Sequence, residues 1–325
     1  MSSQIFAAIL GIDSFRELAQ AMVTGIITGA AYGLLGAGLA LILGVTGRFH
    51  FAVGSTYMVT AYLAAVATGI WGLPLIPAVI VGLAVATVFA LAIEGVVYNP
   101  LAKRAGDGGL LPVFVASLGI VIITENLVRV VWGNNTRNLE GFPSHTYNLG
   151  NVTFTLLDLT LVIVTLVLLG GLSLLLARTV LGEQIRAVRG NPLMAQAVGV
   201  SVRRIFYLVF AIGTLVVGVA AIFSAMKFAV IPSMGNEPIF YAFVVAFVAG
   251  SHRPPIVVGL VGIAIGLAES VSTIWVSDNI SALVVFGLLF AILAARSVPQ
   301  GIRQLSGALS KANRRTLERS AQTRA

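Results

Sequence analysis

Cysteine is absent from this 325-residue chain, and charged residues are scarce. Without cysteine the chain forms no disulfide bond and no thiolate metal site. Only 10% of its residues are charged, whereas a soluble domain usually carries about 25%. Hydrophobic residues make up 58% of the chain, which leaves too few polar side chains to cover a water-facing surface. The composition therefore predicts a protein whose main solvent is lipid.

The motifs of a self-powered enzyme are missing as well. No G-x-x-x-x-G-K-[ST] loop is present to hold a triphosphate, and no H-E-x-x-H pair is present to hold zinc. The three histidines, His50, His145 and His252, suggest no serine–histidine–aspartate arrangement by their spacing. We therefore expect no catalytic residue, no metal and no cofactor bound by this chain.

Long apolar runs are the main feature that is present. A bilayer core about 30 Å thick needs roughly 20 apolar residues of helix. Continuous runs of this length favour helices over the alternating strands of a barrel. They lie near 21–45, 51–70, 75–98, 110–132, 157–177, 205–229, 256–276 and 280–296, with a shorter run at 239–249. The predicted fold is an all-α polytopic transmembrane helix bundle with about nine crossings, within a range of eight to ten.

The basic residues orient this predicted bundle. With the charged stretch 178–204 in the cytoplasm and the short run crossing, sixteen of the 20 Lys and Arg residues lie inside, as the positive-inside rule expects. The net charge of +8 therefore indicates a membrane rather than a nucleic-acid partner. We expect an N-terminal interfacial segment at 1–18, a transmembrane domain at 19–302, and a basic cytoplasmic tail at 303–325 beside the anionic inner leaflet.

One charged stretch interrupts the apolar runs, LGEQIRAVRGNPLMAQAVGV at 181–200. Asn191-Pro192 is able to end one short helix and begin another. Apolar residues recur every three or four positions, which predicts one or two amphipathic helices whose apolar side faces the membrane domain. Those residues are Leu181, Ile185, Val188, Leu193, Ala197 and Val200. From the residues alone, a linker on the lipid surface and a docking element for a soluble partner remain open.

Parts of this stretch follow a known pattern. Arg186-Ala187, Asn191, Ala195 and Gly199-Val200 resemble the R-A-x-x-x-N/D-x-x-x-A-x-x-x-G-[IV] segment of the branched-chain amino acid ABC transporter permease family. Upstream, FHFAVGSTYMVTAY is similar to the family's N-F-A-H-G-E-x-x-M-x-G-A-Y signature, and RSVPQGI near the end is similar to its P-x-G-[IL]. The resemblance runs from about residue 20 to residue 303.

The resemblance implies an inner-membrane permease subunit of a bacterial ABC importer, working by alternating access. It implies a cytoplasmic ATPase that uses the ATP, a second homologous permease or a second copy of this chain, and an extracytoplasmic solute-binding protein. The ATPase would contact residues 182–200, with Glu183, Arg186, Ala187, Arg189, Asn191, Ala195 and Gly199 as the coupling residues. The implied cargo is a small polar solute of the branched-chain amino acid type. An ion- or proton-coupled secondary transporter, working without an ATPase, is the alternative.

The chain departs from the family pattern at two places. His50, Val53 and Ser55 occupy the positions of the signature's Asn, His and Glu, and AGSHRPP at 249–255 replaces a G-G-x-G-S stretch. These departures leave the cargo open. Gly54, Ser55, Thr56 and Thr60 are able to interrupt a helix and expose backbone to a pathway. The resemblance makes this region a translocation candidate, with His50, Gly54, Ser55 and Tyr57 as the pathway residues.

Charged residues inside apolar runs are costly and are expected to have a function or a partner. Glu125 and Arg129 lie four residues apart on one predicted helix face. They either neutralise each other or form an outer vestibule for the ammonium and carboxylate of a zwitterion. Glu269 either pairs with a neighbouring helix or lines the pathway, and so it joins the candidates. Glu94 is expected to pair with Lys103 or Arg104, or to meet the ATPase.

Glycines recur at three- and four-residue intervals in the first long run, at Gly25, Gly29, Gly33 and Gly36. Small residues allow helix backbones to approach closely. Packing within the bundle or against a second permease is the favoured interpretation, and a gating hinge is the alternative.

Overall fold

Long helices make up most of the structure, a computed structural model that describes residues 15–105, 110–143, 145–149, 152–275 and 287. They are α1 Phe15–Thr46, α2 Val53–Gly69, α3 Leu75–Ala92 with a π-helical segment Ile93–Tyr98, α4 Asn99–Ala105, α5 Leu110–Trp132, α6 Leu156–Arg178, α7 Val180–Gly190, α8 Pro192–Ala197, α9 Val202–Lys227, α10 Asn236–Ala249 and α11 Pro255–Ser272. The predicted run at 280–296, the RSVPQGI motif and the tail at 303–325 lie outside the described residues.

Six helices in the described part are long and apolar enough to cross a membrane. They are Arg16–Thr46, Leu75–Arg104, Leu111–Trp132, Leu156–Arg178, Val202–Lys227 and Pro255–Ser272. The predicted runs at 51–70 and 239–249 form the shorter helices α2 and α10, of 17 and 14 residues. A helical membrane bundle is therefore confirmed, but the predicted count of nine crossings is not.

A small hairpin marks one end of the bundle and adds two short strands to the otherwise helical fold. Strands β1 Thr146–Leu149 and β2 Val152–Thr155 pair antiparallel, with Thr146 opposite Thr155. Gln20, near the start of α1, accepts from the backbone N–H of Thr153 at 2.8 Å. The polar, turn-rich sequence at 133–156 is long enough to pair with itself, and the spacing of apolar runs does not predict such a pairing. We call this the hairpin end, and the opposite end, at α7 and α8, the docking end.

The glycines of α1 pack inside the bundle. Gly25, Gly29 and Gly33 face α11, where a Cβ added to Gly33 would lie 2.9 Å from the Cα of Gly259. Gly36 lies against Val245 of α10. The backbones of α1 and α11 are thus in direct contact, and the predicted packing role is confirmed within a single chain.

Two interrupted helices share one plan. Helix α1 runs from the hairpin end to the docking end and is followed by a non-helical break at 47–52 and then α2. Helix α9 runs the opposite way and is followed by a break at 228–235 and then α10. The starts of α2 and α10 meet, because a Cβ added to Gly54 would lie 2.5 Å from the Gly235 carbonyl oxygen. We call this contact the crossing.

The first break lies earlier in the chain than predicted. Helix α2 is continuous from Val53, and the hydroxyls of Thr56 and Thr60 donate back to the carbonyls of Val53 and Thr56 at 2.8 and 2.7 Å. Local side-chain bonds of this kind fit within a helix and do not break it. The predicted interruption at Gly54–Thr60 is therefore wrong by a few residues, and the non-helical backbone precedes it.

Candidate functional site

The first break is buried in the bundle, and its backbone is paired there. The N–H of Phe51 donates to Ser117 Oγ on α5 at 3.3 Å, and the Ser117 hydroxyl lies 3.4 Å from the Phe49 carbonyl oxygen. Ser117 lies seven residues after the start of α5, about 10 Å along that helix. Non-helical backbone at membrane depth is tolerated only where protein or water satisfies it. Protein side chains satisfy part of it here.

An ion pair holds the start of this break. Arg48 pairs with Glu94, both are buried, and the guanidinium also lies over the Phe206 ring at 5.1 Å from its centroid. Glu94 belongs to the π-helical segment, whose wider turn is often found at functional sites. The expected pairing of Glu94 with Lys103 or Arg104 is wrong, because the buried carboxylate finds its cation 46 residues away in sequence.

His50 lies in a closed aromatic pocket. Its side chain is fully buried, and its Nδ1 is 2.9 Å from Tyr98 Oη. Its ring packs edge-on against Phe210 with centroids 5.0 Å apart. Tyr57 is also buried. The pathway roles of His50 and Tyr57 stay predictions.

The second break is held mainly by backbone. Arg137, in the loop after α5, and Val230 exchange two backbone hydrogen bonds of 3.0 and 2.7 Å. The Arg137 side chain donates from Nε to Tyr62 Oη of α2 at 3.2 Å. Turn bonds from Met234 to Ile231 and from Asn236 to Ser233, each 3.1 Å, complete the segment before α10.

A small cavity lies at the crossing. Ser55, Glu125 and Asn236 are among the residues that surround it, and its volume is about 10 Å³, which leaves no room for cargo in this conformation. Glu125 pairs with Arg129, as one of the two interpretations expected, and also lies 3.4 Å from Asn236 Nδ2. The Ser55 hydroxyl is buried and has no hydrogen-bond partner within the described ranges.

Glu269 has a partner on a neighbouring helix. Tyr241 of α10 donates from Oη to Glu269 Oε1 at 2.7 Å, and the Tyr241 ring stacks on Tyr32 of α1 with centroids 4.1 Å apart. These contacts show the pairing that one interpretation expected. The pathway role of Glu269 stays a prediction.

The charged stretch forms two helices, as its pattern indicated. Thr179 accepts from the N–H of Gly182 at the start of α7, and Asn191 accepts from Leu193 and Met194 at the start of α8, with Pro192 in the first turn. Ile185, Val188 and Ala195 are buried against the membrane domain. Leu193 and Ala197 were expected to face inward, but both are exposed, because α8 begins a new helix with its own phase.

Other predicted coupling residues shape this segment. Arg186 donates to the Leu176 carbonyl at the end of α6, which fixes the turn between α6 and α7. Gly199 follows α8 with a φ of +90°, a conformation that other residues rarely adopt. Glu183 and Ala187 are exposed on α7. The segment therefore presents an open face at the docking end.

Arg189 points into the protein. It donates from Nη2 to the Ser251 carbonyl at 2.7 Å and from Nη1 to the His252 carbonyl at 3.3 Å. Burial lowers the pKa of this guanidinium, which nevertheless stays protonated at neutral pH. The departing AGSHRPP stretch thus lies at the docking end, beside α7, and not at the crossing.

The sequence model for "Branched-chain amino acid transport system / permease component" matches residues 21–293. The chain belongs to this family. The permease is accordingly a multi-pass inner-membrane subunit of an ABC transport system and not an enzyme.

Curated relatives agree over most of the permease. It is 28% identical to the high-affinity branched-chain amino acid transport system permease protein BraD of Pseudomonas aeruginosa, over 87% of this chain and 94% of that protein. It is 27% identical to LivH of Escherichia coli K12, a permease protein of the same kind of system, over 89% and 96%. It is also 28% identical to the autoinducer 2 import system permease protein LsrC of an Enterobacter species, over 79% and 74%.

The sequence-based reasoning missed four residues that hold the permease together near its breaks. Arg48, Tyr98 and Ser117 anchor the first break, and Arg137 anchors the second. One signal was available for Arg48, a basic residue directly after an apolar run with a buried acidic residue in a later run. No local pattern marks Ser117 or Tyr98.

Proposed function

We propose that this permease imports a branched-chain amino acid, or a related small polar solute, by ATP-driven alternating access. It would pair with a second homologous permease or a copy of itself, dock a cytoplasmic ATPase through residues 182–200, and take cargo from an extracytoplasmic binding protein. The family match over residues 21–293 is the observation that carries this proposal, because it favours an ATPase-driven importer over an ion-coupled carrier.

The ATPase would bind the open face of α7 and α8. Three large apolar side chains are exposed there, Leu193 at 77%, Met194 at 68% and Val198 at 78%. With Glu183 and Ala187 they form what we call the docking surface. Contiguous exposed apolar side chains mark an interaction site, and the soluble ATPase supplies the partner. Arg186, Asn191, Ala195 and Gly199 would act by holding this surface in shape.

Cargo would pass the crossing. The starts of α2 and α10 meet there, and the positive ends of interrupted helices suit an anionic group such as a carboxylate. Glu125 offers a carboxylate to an ammonium group, and the buried Ser55 hydroxyl offers a further hydrogen bond. This combination fits a zwitterion. The cavity of about 10 Å³ would have to widen as the two interrupted helices separate.

The test is transport in liposomes that contain the permease, its cognate ATPase and, where required, the second permease, with the binding protein outside. We expect uptake of labelled leucine or valine only with ATP. Leu193→Asp and Met194→Asp are expected to lose the co-purifying ATPase. Leu149→Asp, a matched change at a 75% exposed position of the hairpin end, is the control and retains it.

Two further variants test the shape of the segment. Arg186→Glu removes the bond to Leu176, and Gly199→Leu places a side chain where φ is +90°. Both are expected to abolish uptake while the permease still inserts into the membrane. Uptake by the permease alone, driven by a proton gradient without ATP, would refute the proposal in favour of a secondary carrier.

The cargo contact has its own test. Glu125→Gln keeps the size of the side chain and removes its charge, so we expect the KM for a zwitterionic amino acid to rise about tenfold. Glu140→Gln, in the loop of the hairpin end, is the control. An unchanged KM in Glu125→Gln would exclude Glu125 from cargo binding and leave the docking proposal intact.

A further inference from the structure

Arg189 joins two parts of the permease that lie far apart in sequence. Its guanidinium spans the end of α7 and the turn after α10, where it donates to two successive carbonyls 62 and 63 residues further along the chain. Helix α10 ends at Ala249, and Gly250 turns the chain with a φ of +86°. Carbonyls beyond a helix end lack helical partners, and Arg189 supplies donors for two of them.

The surrounding packing leaves this contact little freedom. A Cβ added to Gly44 of α1 would lie 2.7 Å from Arg189 Nη2 and would also contact the Ser251 carbonyl oxygen. Glycine at this position therefore makes room for the guanidinium. Arg189 is wedged between the end of α1 and the turn after α10, so a movement of α7 has to displace that turn or break the contact.

Helix α10 leads from this turn to the crossing. Its 14 residues span about 21 Å. Most of its side chains are buried, among them Ile239, which would contact a Cβ on Gly54. Its first residue, Asn236, lies beside Glu125. The helix is thus closely packed along its length, with α7 and α8, which we call the docking segment, near one end and the proposed cargo contact at the other.

We propose that Arg189 is the positioning residue that transmits movement of the docking segment to α10, and through α10 to the crossing. This inference rests on the proposed function, because it assumes that an ATPase moves α7 and α8. It differs from that proposal in one respect: Arg189 would not bind the ATPase. The planar guanidinium suits the role because it donates to two carbonyls at once in a fixed geometry, which a lysine ammonium does not do.

The experiment separates docking from transmission in the reconstituted complex with ATPase and binding protein. In Arg189→Met we expect ATPase co-purification and ATP hydrolysis without cargo to stay within about twofold of the native permease. The amount of solute imported per ATP is expected to fall about tenfold, within the usual range of coupling between sites. For Arg189→Lys, which keeps the charge, the solute imported per ATP is expected to lie between the values of Arg189→Met and the native permease. Arg203→Met, at an exposed arginine of α9 whose guanidinium donates to Tyr207 of the same helix, is the matched control.

A spectroscopic readout reports movement directly. The native chain has no cysteine, so Phe240→Cys on α10 takes a single environment-sensitive fluorophore. Trapping the ATPase with ATP and vanadate is expected to change its emission in the native background and not in Arg189→Met. Gly44→Ala is a second route to the same result, because its methyl group would collide with both the Ser251 carbonyl oxygen and the guanidinium and so force them apart without changing Arg189.

Two results would overturn the proposed role of Arg189. Loss of ATPase binding in Arg189→Met would overturn the inference and make Arg189 a docking residue, while the proposed function stands. Native import per ATP in both Arg189→Met and Gly44→Ala would also overturn it. If Arg189→Met does not fold, Gly44→Ala and Arg189→Lys still report whether loss of the contact uncouples hydrolysis from import.

Discussion

The two interrupted helices share one plan but are held differently. The break at 47–52 is anchored by side chains, with Arg48 on Glu94, His50 on Tyr98 and Ser117 on the backbone of Phe49 and Phe51. The break at 228–235 is anchored by backbone pairing between Arg137 and Val230. Beyond it, α10 connects to the docking segment through Arg189.

This difference indicates that the two interrupted helices have different roles during transport. A buried ion pair and a buried histidine require fixed partners, because any separation leaves polar groups unpaired in a low dielectric. The first interrupted helix is therefore suited to be the stationary frame. The second lacks such a buried ion pair among the described residues and is connected to the segment where the ATPase would act, so it is suited to move.

The largest effect on the free energy of unfolding is expected from breaking the Arg48–Glu94 ion pair of the first break. Arg48→Met leaves the Glu94 carboxylate buried and unpaired, which is expected to lower the free energy of unfolding by about 3–5 kcal/mol. Unfolding in mixed micelles, followed by circular dichroism, measures the change. The double variant Arg48→Met/Glu94→Met is expected to recover most of the loss, because two apolar side chains leave no charge behind. A single variant as stable as the native protein would show that the first break needs no ionic anchor.

The next largest change in the free energy of unfolding is expected at the crossing, where the two interrupted helices meet. Gly235→Ala places a Cβ against the Gly54 carbonyl and the Met58 side chain. We expect a loss of about 1–3 kcal/mol from overpacking. Gly119→Ala, within α5 where an added Cβ has no neighbour within 4 Å, is the control. It is expected to be neutral or to stabilise by up to about 1 kcal/mol. An equal free energy of unfolding for Gly235→Ala and Gly119→Ala would mean that the crossing is loosely packed.

A smaller effect is expected at the second break. Arg137→Met removes the bond to Tyr62 and the cation–π contact at 5.6 Å but keeps the backbone pairing with Val230. The expected loss of unfolding free energy is about 1 kcal/mol. The same micelle assay measures it. A loss as large as that of Arg48→Met would erase the contrast between the two breaks.

The smallest effect is expected at the hairpin end of α9. Lys227 pairs with Asp158 at 2.6 Å, but its side chain is 40% exposed. Lys227→Met is expected to cost less than about 1 kcal/mol, because solvent reaches the lysine and the buried Asp158 carboxylate keeps its hydrogen bonds to Thr155. Thr155→Ala is the comparison, since it removes the N-cap of α6 and is expected to cost about 1 kcal/mol. If Lys227→Met were the more costly of the two, this end of α9 would be anchored more firmly than its exposure suggests.

Much of the fold followed from local sequence signals. Run length predicted the long helices, Asn191-Pro192 predicted the division between α7 and α8, and glycine spacing predicted a close helix contact at Gly33. Each of these features depends on residues within a few turns of one another. Single-sequence periodicity reads such features directly.

The arrangement of the site did not follow in the same way. Arg48 meets Glu94 46 residues away, and Arg189 meets Ser251 62 residues away. Which pairs of helices are neighbours decides such contacts, and no local pattern encodes that. The first break was placed too late for the same reason, since its backbone is satisfied by Ser117 on a different helix. Glu125 and Arg129 were paired correctly because one helix turn brings them together.

The contact between α1 and α11 limits where the permease is able to flex. Gly25, Gly29 and Gly33 meet the backbone of α11 around Gly259, Gly262 and Gly266, so sliding of one helix along the other would press larger neighbouring side chains against these glycines. The two helices should therefore travel as one rigid body through the whole transport cycle. A covalent crosslink between α1 and α11 would then leave import intact, whereas a crosslink that fixes α10 to its neighbours would stop import.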